Sequence, residues 1–233
     1  MKKLKKIAFS AFLGLRSNKF SRNLILKILA GMHNFSYKTI GLFASHAGIH
    51  PKHKITGYHR FFVENTGEND VVLDIGCGKG DVAFDLAKKA ARVTGIDISP
   101  ENILSSQKKY QSDNLEFVIG DATRYDFKDR FNIVVLSNVL EHIENRISFL
   151  TKISGLSPVL LIRVPLITRD WISVYKKEIG LEYRLSKDHF IEYTEENFHD
   201  EIAQAGLTIE KFYVKFGELF AVVRKKDQPH EIF

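Results

Sequence analysis

Residues 71–87 read VVLDIGCGKGDVAFDLA, and this stretch constrains the fold more than any other. An apolar run ends in an acid, Asp74. Glycines follow at 76, 78 and 80, and beyond them Val82, Leu86 and Ala90 fall on one helical face. A buried strand that turns tightly and leaves as a helix opens a βαβ unit, whose crossover helix covers a parallel sheet.

The alternation continues. RVTGIDI, LEFVIGDA, FNIVVLSN and PVLLIRVP read as further strands. SPENILSSQKKY is a helix with Ser99 as N-cap and Pro100 in its first position. VLEHIENRISFLTKI reads as one helix, with Leu140, Ile143, Ile147 and Leu150 on one face. TEENFHDEIAQAGL is a helix capped by Thr194 and closed by Gly206, and IEKFYVKF and LFAVVRKK form an antiparallel hairpin. The expected fold class is α/β: a Rossmann-like, doubly wound, mostly parallel sheet covered on both faces. Residues 166–193 read as a long irregular insert. Upstream, 57–65 forms a short helix, 33–53 is turn-rich with His33, His46, His50 and His53, and 2–32 forms one or two basic helices. The expected division is an N-terminal extension over 1–56 and a catalytic domain over 57–233.

Ligands on such sheets sit at the carboxyl ends of the strands. The loop is G-x-G-x-G, not the dinucleotide pattern G-x-G-x-x-G, and Asp81 takes the place of the third dinucleotide glycine. Carboxylates at 74 and 81 disfavour a pyrophosphate and favour a cationic or zwitterionic nucleoside. This also argues against a nicotinamide-dependent oxidoreductase. Asp97 ends the second strand and can accept both hydroxyls of a ribose. Ile98 can pack on a base, Asp121 can accept an exocyclic amine, and Asn138 ends the fourth strand.

Taken together, VLDIGCGKG, VTGIDIS, FVIGDAT, LSNVLEHI and EYTEENFHDEIAQAGL resemble the class I S-adenosylmethionine-dependent methyltransferases over residues 71–224. The resemblance implies a seven-stranded sheet and S-adenosylmethionine as cofactor. It implies that Asp74, Gly76, Cys77 and Gly78 surround the methionine part and Asp97 the ribose. Ile98, Asp121 and Ala122 would surround adenine, with Asn138 near the methionine end. Cys77 reads as a small, buried loop residue without a catalytic role.

The implied reaction is in-line displacement of a methyl group from a sulfonium, in which the protein aligns the nucleophile and, where needed, removes a proton. His142 is the candidate base; the other reading makes LEHI a helix start with Glu141 on the favourable end of the dipole and His142 facing solvent. No metal is expected, because adjacent helical residues such as Glu141 and His142 point about 100° apart. In the insert, Arg169, Trp171 and Tyr175, with His189 after it, are candidate acceptor contacts; the same segment could equally be a lid that packs the sheet edge. Nothing like Asn-Pro-Pro-Tyr follows the fourth strand, and Cys77 is the single cysteine. Both facts make nucleic-acid bases poor acceptor candidates, and a lone cysteine fits a reducing, cytoplasmic setting.

Charge is divided unevenly. Residues 1–60 hold twelve Lys or Arg and no acid, while the rest of the chain holds 22 basic and all 28 acidic residues. Three readings of the basic arm stand open: residues 1–32 lie on an anionic membrane surface, bind RNA, or pack on the catalytic domain. The expected acceptor is a small molecule or glycan, in particular a hydroxyl of a sugar or lipid-linked glycan, as in polysaccharide biosynthesis, with a quinone next and RNA behind it. A catalytically inactive adaptor that binds a partner through the basic arm is the non-enzymatic alternative.

Overall fold

The computed structural model describes residues 10, 14–45 and 51–226. The chain divides into two compact units, one of residues 1–52 and 174–183, the other of residues 53–173 and 184–233.

In the first unit, α1 (Lys19–Ala44) is capped by Asn18, whose side chain accepts the N–H groups of Phe20 and Ser21. The helix has no acid in its first turn and buries no side chain completely. Phe20, Ile28, Met32, Phe35, Ile40 and Phe43 are exposed along it. Lys176 donates to Asn34 Oδ1 at 2.6 Å and meets His33 Nδ1 at 2.9 Å. The turn-rich reading of 33–53 is therefore corrected over its first part: α1 runs unbroken to Ala44, because Gly31 and Gly41 are tolerated in a long helix rather than ending it. His46 and His50 lie outside the described residues.

The remaining elements follow in order: α2 (Pro51–Thr56), α3 (Tyr58–Glu64), β1 (Val71–Ile75), α4 (Asp81–Ala87), β2 (Arg92–Asp97), α5 (Pro100–Lys109), β3 (Leu115–Ile119) and β4 (Ile133–Ser137). After them come α6 (Arg146–Ser154), β5 (Val159–Pro165), α7 (Trp171–Glu178), α8 (Glu195–Gln204), β6 (Leu207–Lys215) and β7 (Glu218–Lys225). The sheet has seven strands in the order β3-β2-β1-β4-β5-β7-β6. β1 to β5 are parallel, and β7 runs antiparallel between β5 and β6. Side-chain alternation sends Leu73, Val134 and Leu160 into one apolar layer with α6 and α8, and Val72, Val135 and Leu161 into the other with α3 and α4. Both faces are covered, as strands without a polar alternation require.

Two further segments differ from the sequence expectation. Residues 139–153 are not one helix: a 3-10 turn over Leu140–His142 is followed by a separate α6. The break falls at Ile143, which is extended (φ −98°, ψ 125°), and at Asn145, whose backbone is also non-helical, while upstream the left-handed Asn138 (φ 58°) redirects the chain as it leaves β4. The insert is less irregular than expected, for it contains a 3-10 turn (Ile167–Arg169) and α7.

Candidate functional site

The parallel register brings strand ends together. Ile75 pairs with Ile96 and Leu136, and Asp97 pairs with Ile119, so the loops after β1, β2, β3 and β4 emerge along one edge.

At the first of these, Asp74 is buried against the start of α4, where its carboxylate accepts the Ala83 N–H. Its second oxygen, Oδ2, is buried with no partner. Burial first, and then the nearby Asp97 charge, push its pKa up to about 8. The loop that follows is pinned from several sides. Cys77 N–H donates to the Ile96 carbonyl at 3.1 Å, Gly80 N–H to the Cys77 carbonyl at 3.0 Å, and Gly78 N–H to Asp97 Oδ2 at 2.9 Å.

The three glycines serve different ends. A Cβ on Gly76 would lie 2.7 Å from Val139 Cγ2, and one on Gly80 would lie 2.6 Å from Phe117 Cζ. Both permit close packing of the loop on the protein. A Cβ on Gly78 would meet no atom within 4 Å, so this glycine faces open space. Cys77 is half-buried with its sulfur against Gly95, and burial, then Asp74 and Asp97, hold the thiol well above its ordinary pKa. It is a packing residue, without the environment of a nucleophile.

Asp97 is the hub of the loop. Besides Gly78, it accepts from Ser99 N–H at 2.9 Å and Asn102 Nδ2 at 3.2 Å. A carboxylate offers about four acceptor positions, so room is left for a hydroxyl. Ile98 is 70% exposed beside it. Gly120 N–H donates to the Asp97 carbonyl at 3.0 Å and draws the turn after β3 alongside. There Asp121 accepts from Thr123 N–H at 3.0 Å and Thr123 Oγ1 at 2.6 Å, which holds its carboxyl below the ordinary value. Lys152 braces this turn through the carbonyls of Ala122, Thr123 and Tyr125. Asn138 N–H donates to the Arg163 carbonyl at 2.8 Å, while its side-chain Oδ1 is buried without a partner.

One electrostatic expectation changes. Asp81 is turned away toward α5, ion-paired with Lys109 at 2.7 Å and bonded by the Tyr110 hydroxyl. The carboxyl groups beside the loop are those of Asp74 and Asp97 instead of Asp74 and Asp81.

A second group lies past β4. The 3-10 turn places Glu141 inside the protein, with neither carboxylate oxygen bonded to another residue and its pKa raised to about 7 by burial. His142, next to it, is half-exposed and bonds Asp188 Oδ2 through Nδ1 at 3.0 Å. His189 is buried and bonds Glu192 Oε1 through Nδ1 at 2.9 Å. The two imidazoles stand edge to face, 4.6 Å between centroids. Burial and the neighbouring His189 hold His142 below its ordinary pKa, with Asp188 acting in the opposite direction. Candidate ligand atoms of Glu141, His142 and His189 lie within 4.8 Å of one another. On a regular helix the adjacent Glu141 and His142 would point about 100° apart. The 3-10 turn and the arrival of His189 from 47 residues away change that geometry.

Arg169 is engaged with Glu192 Oε2 at 2.7 Å and with the Leu166 carbonyl at 3.2 Å, so its guanidinium braces the segment. Trp171 is 75% exposed. Tyr175 belongs to the other compact unit. Glu141, Asp188 and Glu192 were not singled out as site residues in the sequence; the only signal was the recurrence of acid–histidine neighbours in LEHI and KDHFIE.

A seven-stranded sheet of this order, with a glycine loop after β1 and an acid closing β2, is the fold of the class I S-adenosylmethionine-dependent methyltransferases. Residues 72–156 match the methyltransferase domain family. It is 32% identical over 117 residues to a ubiquinone biosynthesis O-methyltransferase of Bradyrhizobium diazoefficiens, an alignment covering 49% of this chain and 46% of that protein. It is 30% identical over 115 residues to the enzyme of the same name from Rhodopseudomonas palustris strain BisB5, covering 48% and 46%. The chain thus spans about half the length of the curated relatives it matches. Among solved structures, a methyltransferase from Clostridium acetobutylicum superposes with a TM-score of 0.61 at 13% identity, covering 84% of this chain and 99% of that one. Magnesium protoporphyrin IX methyltransferase from Synechocystis, solved with bound S-adenosylhomocysteine, superposes with a TM-score of 0.59 at 16% identity, covering 88% and 100%. At these identities the structures speak for the fold.

The site fits such a cofactor. Buried polar atoms without partners, Asp74 Oδ2 and Asn138 Oδ1, belong to residues at the carboxyl ends of β1 and β4, and Gly78 opens onto free space beside the end of β2, where Asp97 holds its N–H and Ile98 is exposed.

Proposed function

We propose that this protein is an S-adenosylmethionine-dependent methyltransferase acting on a hydroxyl oxygen of a small acceptor. The observation that carries the reading is the polar cradle around Gly78. Two buried acceptor atoms lack partners beside a loop whose N–H is already held by Asp97, and an ammonium group and a ribose would supply donors of the right kind. When bound, the cofactor supplies an activated methyl group on a sulfonium. The protein's own part is to hold the loop, shield the reacting atoms from water and accept the hydroxyl proton. His142 is the half-exposed member of the acid–histidine cluster and the group able to meet an acceptor, its ring oriented by Asp188.

For the acceptor, the names of the relatives favour a phenolic or quinone-precursor ring. The names of these relatives lend no support to the glycan acceptor, which becomes the second arm of the test. Calorimetric titration with S-adenosylmethionine is expected to give micromolar binding that Asp97→Ala abolishes. Transfer of labelled methyl should then be measured into quinone-precursor lipids, glycan extracts and tRNA. Transfer to tRNA alone would overturn the acceptor class. Absence of cofactor binding by well-folded protein would overturn the enzymatic reading and leave the adaptor.

A peripheral membrane role for the basic region is favoured by one specific observation. α1 carries Lys19, Arg22, Lys27 and Lys38, no acid, and several exposed large apolar side chains. That combination suits the headgroup boundary of an anionic bilayer. Among the described residues no helix is long and apolar enough to cross a membrane.

A further inference from the structure

We propose that Glu141, His142 and His189 form a binding site for one divalent transition-metal ion, beside the acceptor end of the methyltransferase site. The role of the ion rests on the functional reading above; its binding does not.

Three independent features point to a cation. The first is Glu141. A carboxylate with no exposed surface, whose sole donor is its own backbone N–H, is costly, and a bound cation is the ligand that removes the cost. The second is the state of the histidines. Asp188 and Glu192 present carboxylates, which only accept, so both Nδ1 atoms carry the proton. With Nδ1 turned to a carboxylate, Nε2 is the nitrogen each ring can offer to an ion, and a carboxylate on the far nitrogen is the arrangement that orients metal-bound imidazoles and raises their basicity. The third is the support behind the ligands. Glu192 is itself buried and held by Arg169 at 2.7 Å and the Leu185 N–H at 2.6 Å, so the residue that aims His189 is fixed. The Phe190 N–H donates to the Glu141 carbonyl at 2.8 Å, which ties the His189 loop to the 3-10 turn.

The dimensions are compatible. Ligand atoms around an ion at about 2.1 Å stand roughly 3–4 Å apart. The cluster, with atoms within 4.8 Å, is somewhat wider than this and closes around an ion by side-chain movement. Two imidazoles with one carboxylate select zinc, iron, cobalt or manganese over magnesium, and they leave coordination positions open. His142, the half-exposed ligand, places that open side toward solvent. An acceptor hydroxyl bound there would lose its proton more readily, because the ion stabilises the oxyanion. In that assignment His142 meets the acceptor oxygen through the ion and not as a free base.

The test uses the full chain, stripped with chelator and titrated with cobalt(II), which reports inner-sphere binding by visible absorption. One equivalent is expected, displaced by zinc, with a rise in melting temperature. Glu141→Gln and His189→Ala should each abolish the absorption. Asp188→Asn, which removes no ligand, should weaken binding roughly 10–100-fold. S-adenosylmethionine is titrated into the same samples as a check on the fold of every variant. No cation uptake by protein that binds the cofactor would overturn the site and leave the methyltransferase reading standing. Uptake that survives both ligand variants would also overturn it, assigning the ion to other histidines of the chain. Uptake lost in the variants, without cofactor binding, would keep the site and sink the methyltransferase reading.

Discussion

Alanine at Gly80 would place its Cβ 2.6 Å from Phe117 Cζ and 2.9 Å from Ser106 Cβ, at a backbone φ of +80°. Both neighbours are buried, so the overlap must be relieved by moving β3 or α5. Overpacking of this kind costs about 1–3 kcal/mol, and the left-handed conformation adds about 1–2 kcal/mol for a residue with a Cβ. The sum, roughly 2–5 kcal/mol, is a large part of the stability of an ordinary domain. Alanine at Gly78 (φ +55°) meets nothing within 4 Å and carries only the conformational cost, about 1–2 kcal/mol. Its Cβ would instead occupy the space assigned to the cofactor. Urea denaturation should therefore rank Gly80→Ala well below Gly78→Ala in stability. Calorimetry at a temperature where both are folded should rank them the other way, with Gly78→Ala losing at least about tenfold in S-adenosylmethionine affinity, or about 1.4 kcal/mol. Equal destabilisation by the two, or unchanged affinity in Gly78→Ala, would refute the division of the loop into a packing glycine and a ligand-facing one.

Asp74 gives a pH signature. Its folded pKa lies near 8 against an ordinary 3.8, so the folded state holds a proton that the unfolded chain releases, and stability falls as pH rises from about 4 to about 8. Asp74→Asn should remove that dependence and stabilise the cofactor-free protein by up to on the order of 5 kcal/mol at pH 8 and above; a difference between variant and wild type that does not change with pH, in melts across this range, would contradict the assignment. The basic helix α1 should bind phosphatidylglycerol vesicles at low salt, with each cation contributing about 1 kcal/mol, and release them as salt rises. Phe35→Ser and Phe43→Ser should weaken sedimentation with vesicles, and equal binding to neutral vesicles would speak against the membrane reading.

The parallel core was legible because its cues are local. Strands such as Ile133–Ser137 are continuous apolar runs, and Ser99 with Pro100, or Thr194 with Asn197, announce helix starts through short-range hydrogen bonds. Such cues also placed Asp97, Asp121 and Asn138 at or just past strand ends, which in a parallel sheet share one edge. Residues 139–153 form two elements and not one helix because Leu140, Ile143, Ile147 and Leu150 satisfy a helical period whether or not the helix is continuous, and Ile143, where the backbone becomes extended, is itself one of those periodic residues.

Side-chain fates depended on contacts between distant residues. Lys109 and Tyr110 turn Asp81 away from the loop, and Val139 and Phe117 decide which glycines are there for packing. Glu141 becomes a buried acid with no partner residue only because the 3-10 turn directs it inward, and it meets His189 only when the chain returns past α7. Periodicity and capping act over a few residues and specify the order and type of elements. Burial and charge depend on which elements meet, and only the packed tertiary structure decides that.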